Sequence, residues 1–236
     1  MGAAAGGFIN GLAGFGTALF ALGFFLTVFP PVEAVALVVV TSVVTGLQGL
    51  WVVRRAIWAN PRRLARFLGP GLFGVPLGLM LLALVDAETL KIAIALFLLL
   101  YGGFFSVRRT LPRIERPTPG IDALVGFLGG VAGGGAAVSG ALPTMWCALR
   151  AWPKAETRAV LQPYNVAVLG VTAAALALRG AYTGAVLMAL VLSLPTALLS
   201  AQFGLALFRR LGDAAFRRLL IGLTFLSGAG LLLRTF

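Results

Sequence analysis

Two stretches of the chain read almost alike 119 residues apart: Gly7-Phe8-Ile9-Asn10-Gly11-Leu12-Ala13-Gly14-Phe15-Gly16-Thr17-Ala18 and Gly126-Phe127-Leu128-Gly129-Gly130-Val131-Ala132-Gly133-Gly134-Gly135-Ala136-Ala137, identical at seven of twelve positions. Each copy lies in an apolar segment near the head of one half of the chain. The sequence thus reads as an internal duplication with a glycine-rich break at the head of each copy. In a membrane protein, paired breaks of this kind point to a transporter whose site lies where two repeats meet.

Composition places the chain in a membrane. It is 60% hydrophobic and 11% charged, with a mean hydropathy of +1.01, against about 25% charged in an ordinary soluble domain. The 236 residues suffice for about eight segments of roughly 20 residues, so a single membrane domain over 1–236 is expected. A net charge of +12 would suggest nucleic acid in a soluble protein, but the 19 Lys and Arg fall in short clusters between apolar runs. Topology explains them better than a nucleic-acid partner. Apolar sequence from residue 2, without a basic leader, reads as a first membrane segment and not as a cleavable signal.

Apolar runs fall at about 2–29, 34–53, 67–85, 89–107, 121–148, 159–178, 181–208 and 217–234. Repeat 1 is then 1–107, the Pro- and Arg-rich linker 108–120, and repeat 2 121–236. The duplication continues beyond the glycines: Pro30-x-x-Glu33-x-x-Ala36 is echoed by Pro153-x-x-Glu156-x-x-Ala159, and Asp86-Ala87 by Asp213-Ala214. Lys and Arg number zero at 29–33 against three at 149–158, five at 54–66 against one at 179–180, one at 86–91 against four at 209–218, and four at 108–120 against one at the C-terminal end. Corresponding loops carry opposite bias, so the halves should insert in opposite directions with the basic loops cytoplasmic.

Four simple crossings per half cannot invert the second half. One segment per half must return to the side it entered from, and the long segments broken at Gly14-Phe15-Gly16 and Gly133-Gly134-Gly135 are the candidates. The expected fold is an all-α integral membrane protein of two inverted repeats, each a glycine-broken re-entrant hairpin plus three transmembrane helices. Eight full crossings with parallel repeats is the alternative.

A helix broken at the midplane exposes N–H groups that cost several kcal/mol unless protein or ligand satisfies them. Second arms starting near Gly16-Thr17-Ala18 and Gly135-Ala136-Ala137 would aim N–H groups and a positive dipole end at the centre, an anion-binding arrangement. The candidate binding residues are therefore Gly14, Phe15, Gly16 and Thr17, with Gly133, Gly134, Gly135 and Ala136. Thr17 is expected to cap its arm, and Ser139, one turn into the other, to add a donor. Gly7-x-x-x-Gly11 and Gly126-x-x-x-Gly130 fit close helix packing better than a site.

Thr41, Thr45 and Gln48 share one helix face, and Thr41 and Ser42 align with Tyr164 and Asn165. Gln162-Pro163-Tyr164-Asn165 is the most polar run inside any crossing. Thr41, Ser42, Gln48, Gln162, Tyr164 and Asn165 are either a substrate wall or interhelical hydrogen bonds worth about 1 kcal/mol each. Ser193, Thr196 and Ser200 fit the second role better. All seven acids lie in or beside loops, so the usual buried carboxylate relay is missing. Glu33, Glu156 and Arg158, expected at the mouths, are the candidates for gating or coupling. With no histidine and one cysteine, Cys147, no metal site of the zinc type and no cofactor are expected.

The duplicated Gly-Phe-x-x-Gly-x-x-Gly-x-Gly, the Pro-x-x-Glu start of the following helix, the arginine-rich linker and the small size resemble the TauE/SafE family of sulfite and sulfur-anion permeases, over nearly the whole chain. The resemblance implies a multi-pass anion carrier or exporter in the bacterial inner membrane, with the glycine motif on Gly11, Gly14 and Gly16 and on Gly130, Gly133, Gly134 and Gly135. Its partners would be a small inorganic or organic sulfur oxyanion and the lipid bilayer, with a homodimer left open. The leading function is export of sulfite or a related anion; the alternatives are an anion channel and a proton- or ion-coupled organosulfonate permease. An enzyme is not expected, since the chain shows no Ser-Lys pair, no paired intramembrane carboxylates, no metal motif and no nucleotide loop.

Overall fold

The structure is a computed structural model that describes residues 1–84, 114–150 and 152–216, with a few isolated positions beyond. The expected segments 89–107 and 217–234 lie outside the described residues apart from those isolated positions. Eight helices are described: α1 Gly2–Ala13, α2 Thr17–Phe25, α3 Pro31–Ala59, α4 Pro61–Leu84, α5 Pro119–Ala136, α6 Ala141–Ala148, α7 Lys154–Leu178 and α8 Gly184–Arg210. Four of them, α3, α4, α7 and α8, are long and apolar enough to cross a membrane. At about 1.5 Å per residue they run to roughly 36–43 Å, beyond a hydrocarbon core of about 30 Å. Their outer faces carry Phe73, Val191, Leu192 and Phe203, each at least 68% exposed, a surface suited to lipid and not to water. The chain is a multi-pass membrane protein.

Both long apolar segments expected to break do so. Segment 2–29 divides into α1 and α2 around Gly14-Phe15-Gly16, with Gly14 and Gly16 left-handed at φ 87 and 98, a conformation glycine adopts without strain. Segment 121–148 divides into α5 and α6, but four residues later than expected, around Ala137-Val138-Ser139-Gly140. Ala137 takes the left-handed turn at φ 57, its N–H donating to Gly133 O and that of Val138 to Ala132 O. Gly133, Gly134, Gly135 and Ala136 are helical, which corrects the placement of the second break. The repeat offset is 119 residues at the first arms and 123 at Pro30 and Pro153. The four extra residues add about one helical turn to α5.

Pro30 and Pro153 precede α3 and α7 with nearly the same geometry, φ −57 and ψ 157 or 154, putting Glu33 and Glu156 in the first turn, where the dipole favours an acid. The basic stretch 54–66, read from sequence as a loop, is helical except at Asn60. Pro61 starts α4 at once, and Arg54, Arg55, Arg62, Arg63 and Arg66 ride on the ends of α3 and α4.

The first arms pack across the halves. On α1 a Cβ at Gly7 or Gly11 would strike the carbonyls of Ala197 and Ala201 on α8, and one at Gly204 would strike that of Phe8. On α5 a Cβ at Gly126 or Gly130 would strike the carbonyls of Phe67 and Gly71 on α4, and one at Gly74 that of Phe127. The contacts correspond pair by pair, offset by 119 residues on the arms and 130 on the partner helices. The two small-xxx-small motifs are therefore packing seams, where missing side chains bring backbones together. On α8 the small residues Ala197, Ala201 and Gly204 carry the seam, while Thr196 points away from it.

One end of the bundle gathers basic residues from four stretches. Arg63 pairs with Glu156 at 2.5 Å and stacks on Trp152, Lys154 donates to the carbonyls of Phe208 and Leu211, and Arg150 donates to Arg116 O. A buried pair joins Arg150 Nη2 to Asp122 Oδ1 at 2.8 Å, and Trp146 Nε1 donates to the same oxygen at 2.6 Å, fastening the start of α5 to the end of α6. At the opposite end Thr183 Oγ1 donates to Glu33 Oε1 and Arg179 to Leu79 O.

Candidate functional site

The two breaks meet. A Cβ at Gly140, just ahead of α6, would lie 2.8 Å from Phe15 Cγ and 3.0 Å from Cδ2, and Phe15 is 3% exposed. Only glycine fits at 140 while Phe15 holds this position. Around the contact lie buried groups that few membrane cores carry.

The first is Arg158. Its sequence neighbours Lys154 and Glu156 suggest a mouth, but its side chain is 0% exposed, because position 158 lies on the inner face of α7. Nη1 donates to Leu12 O at 3.1 Å and Nη2 to Gly11 O at 2.7 Å, and Nε and Nη2 both donate to Gln162 Oε1 at 3.2 and 3.0 Å. The guanidinium stands 4.3 Å from the Phe208 ring centre, within cation–π range. No carboxylate pairs with it among the described residues. The last carbonyls of α1, left open by the break at Gly14, supply the partial negative charge that makes a buried cation tolerable.

Gln162 fixes this arrangement. Its Nε2 donates to Gly46 O at 3.0 Å, and a Cβ at Gly49 would come 2.9 Å from Arg158 Nη2 and closer to Gln162 Oε1. Two small residues on α3 thus open the space that holds an amide and a guanidinium from α7. Nearby, Asn10 Nδ2 donates to Ser42 O at 2.8 Å and Thr45 Oγ1 at 2.7 Å.

The second break is held by the next residues of α7. Tyr164 donates to Gly126 O at 2.6 Å, and Ser139 Oγ, within the break itself, donates to Asn165 Oδ1 at 2.5 Å. Arg158 thus grips the end of α1 at the first break, Asn165 holds Ser139 in the second, Tyr164 fastens α5 further back at Gly126, and Pro163 stands between these contacts. Several polar atoms here are buried and lack a hydrogen bond: Asn10 Oδ1, Thr17 Oγ1, Ser42 Oγ, Thr144 Oγ1 and Asn165 Nδ2. Each unmet group costs about 1–3 kcal/mol; Gln48 Oε1 on α3 is likewise buried and unmet among the described residues, and the group of such atoms around the two breaks makes this the candidate site.

The other expected residues fall as follows. Thr17 begins α2, but its hydroxyl caps nothing; Gly16 is the cap residue. Gly133 faces Val168 and Ser139, Gly134 the Val75 carbonyl, and Gly135 the Gly78 carbonyl at 3.3 Å, so these three pack against neighbours and do not form the turn. Thr41 bonds within its own helix to Leu37 O. Gln48 is half-buried, with its Oε1 buried and without a hydrogen bond among the described residues. Glu33 and Glu156 lie at opposite ends of the bundle, and Arg63 and Glu156 border a cleft of about 150 Å³ with Asn60 and Val160. Sequence reasoning missed Asn10, Gly49, Gly140 and Thr144. Asn10, a lone amide inside the duplicated motif where the other copy has Gly129, was the signal available.

The family model described as Sulfite exporter TauE/SafE matches residues 1–231 of the 236. Comparison with curated proteins gave no match, and comparison with solved structures gave none either.

Proposed function

The chain belongs to the sulfite exporter TauE/SafE family, and from that premise we propose that it exports a small oxyanion, sulfite or a related sulfur anion, across the bacterial inner membrane, binding it where the two helix breaks meet. The observation that carries this reading is Arg158: a fully buried guanidinium, answered among the described residues by neutral oxygens alone, against Gly14 and so next to the contact of Phe15 with Gly140. A cation kept in an apolar core at such cost serves best where an anion is to arrive. Thr17, Thr144 and Asn165 offer donors not otherwise used, while Gly14, Gly16 and Ser139 shape the turns.

Inverted repeats and re-entrant arms are part of the proposal. In support, α3 runs from the end with Glu33 to the end with Arg63, while its counterpart α7 starts beside Arg63 and finishes beside Arg179. The arms α1 and α2, about 18 and 14 Å long, reach roughly to the middle of a hydrocarbon layer about 30 Å thick. The end rich in arginine is then cytoplasmic. Outward movement of one negative charge gains about 2.3 kcal/mol per 100 mV of inside-negative potential, so export runs without a coupling ion.

Flux of labelled sulfite in proteoliposomes at several imposed potentials tests this, with Arg158→Gln and Arg158→Lys beside the parent. Saturable flux that follows the potential, lost in Arg158→Gln, is the expected result. Flux linear in sulfite concentration would replace the carrier with a channel, and full flux in Arg158→Gln would remove Arg158 from the site.

A further inference from the structure

A guanidinium holds an oxyanion through two parallel N–H···O bonds along one edge of its fork. In Arg158 both edges are taken. Gln162 Oε1 accepts from Nε and Nη2, while Leu12 O and Gly11 O accept from Nη1 and Nη2. Of the five N–H groups a guanidinium offers, four are taken among the described residues and one, on Nη1, is left. An anion therefore cannot dock on Arg158 in the bidentate manner without displacing an acceptor.

The two sets of acceptors differ in what they join: Gln162 stands on the same helix as Arg158, whereas Gly11 and Leu12 belong to α1, whose backbone is seated on α8 at Ala201 and Gly204. Gln162 is pinned from its other side by Gly46 O and crowded by Gly49. Gly11 and Leu12 lie in the last turn of α1, two and one residues short of the final helical residue, and the chain turns immediately after at Gly14, φ 87. An oxyanion brings a full negative charge and a two-oxygen edge that match the guanidinium fork, which single neutral carbonyls lack, so it competes with the Gly11 and Leu12 carbonyls for Nη1 and Nη2, the bonds that join α7 to α1.

We infer that Arg158 is an anion-operated latch: bound to the carbonyls of Gly11 and Leu12 it ties α1 to α7, and an oxyanion that takes over its Nη1 and Nη2 groups unties α1, still seated on α8, from α7. This rests on the reading of Arg158 as the receiver of the transported anion. The latch makes substrate the trigger of movement at the first break. The second break has no such charged tie among the described residues: Ser139 holds it through a neutral bond to Asn165.

Amide hydrogen exchange on the full chain in detergent, with and without saturating sulfite, reads the latch directly. Sulfite is expected to speed exchange at residues 13–16 at least threefold in the parent. Arg158→Gln exchanges fast there with or without sulfite. Arg158→Lys, which keeps a charge but has no fork, starts slow and responds less than threefold; it also serves where the glutamine variant does not fold. Sulfite flux in parent proteoliposomes with exchange at 13–16 unchanged or slowed would overturn the latch and leave the transport reading standing. Absence of flux with sulfite, sulfate and thiosulfate alike would overturn both.

Discussion

Phe15 occupies the space a side chain at Gly140 would need, so the break after α1 and the break before α6 close on each other through one aromatic ring and one missing methyl. Phe15 is one of the five positions at which the first glycine motif departs from the second, where Gly134 stands, and this departure fills the gap between the two breaks.

Gly140→Ala should therefore wedge the breaks apart. Overpacking of a tight core costs about 1–3 kcal/mol, and sulfite flux should fall at least tenfold. Phe15→Ala in the same chain should restore thermal stability toward that of Phe15→Ala alone. A double variant no better than Gly140→Ala would mean that the strain lies elsewhere.

The glycines of the second motif separate by what they touch. Gly134→Ala drives a methyl into the Val75 carbonyl, whereas at Gly135 the nearest atom, Gly78 O, is 3.3 Å away. Melting in detergent should show Gly134→Ala less stable by about 1–3 kcal/mol and Gly135→Ala close to the parent. Equal losses at both would contradict the α4/α5 seam as described.

Asp122→Asn leaves Arg150 buried without its carboxylate. Removing one member of a buried pair costs about 3–5 kcal/mol, while replacing both by apolar residues is often neutral. Folded yield and melting temperature should drop for Asp122→Asn and recover in part for Asp122→Leu with Arg150→Met. A neutral single variant would show the pair to be unimportant for closing α5 on α6.

Insertion can be mapped with single cysteines in a Cys147→Ala background. Cysteines at the exposed positions Asn60 and Gly212 should react with an impermeant maleimide from the cytoplasmic side, and one at Val28 only from the other. Reaction of all three from one side would remove the opposed insertion of the halves.

The sequence announced the existence of both breaks, because glycine clusters in apolar segments leave few other interpretations. It also held the correction to the second break. The change of offset from 119 to 123 between the glycine motif and the Pro-x-x-Glu motif requires an insertion between them, and an insertion of four residues is absorbed most simply by one more turn of helix. Arg158 was misjudged because charge was weighed by position along the chain. Weighed by helical phase, Arg158 and Gln162 stand at i and i+4 on one face, which is the buried face of α7. Gly140 and Thr144 had no signal of their own, since neither the contact with Phe15 nor the burial of a hydroxyl exists before the halves come together.

The seams between α1 and α8 and between α4 and α5 have a consequence for what each half is. Every one of these close backbone contacts joins a helix of one half to a helix of the other, so neither half can bury its own glycine-lined arm. A lone copy would present a bare groove of carbonyls and glycine Cα atoms to the lipid, and the surface that fits it belongs to the opposite copy. The close backbone pairs are thus α1 with α8 and α4 with α5, and the linker between the halves connects partners that are already interleaved.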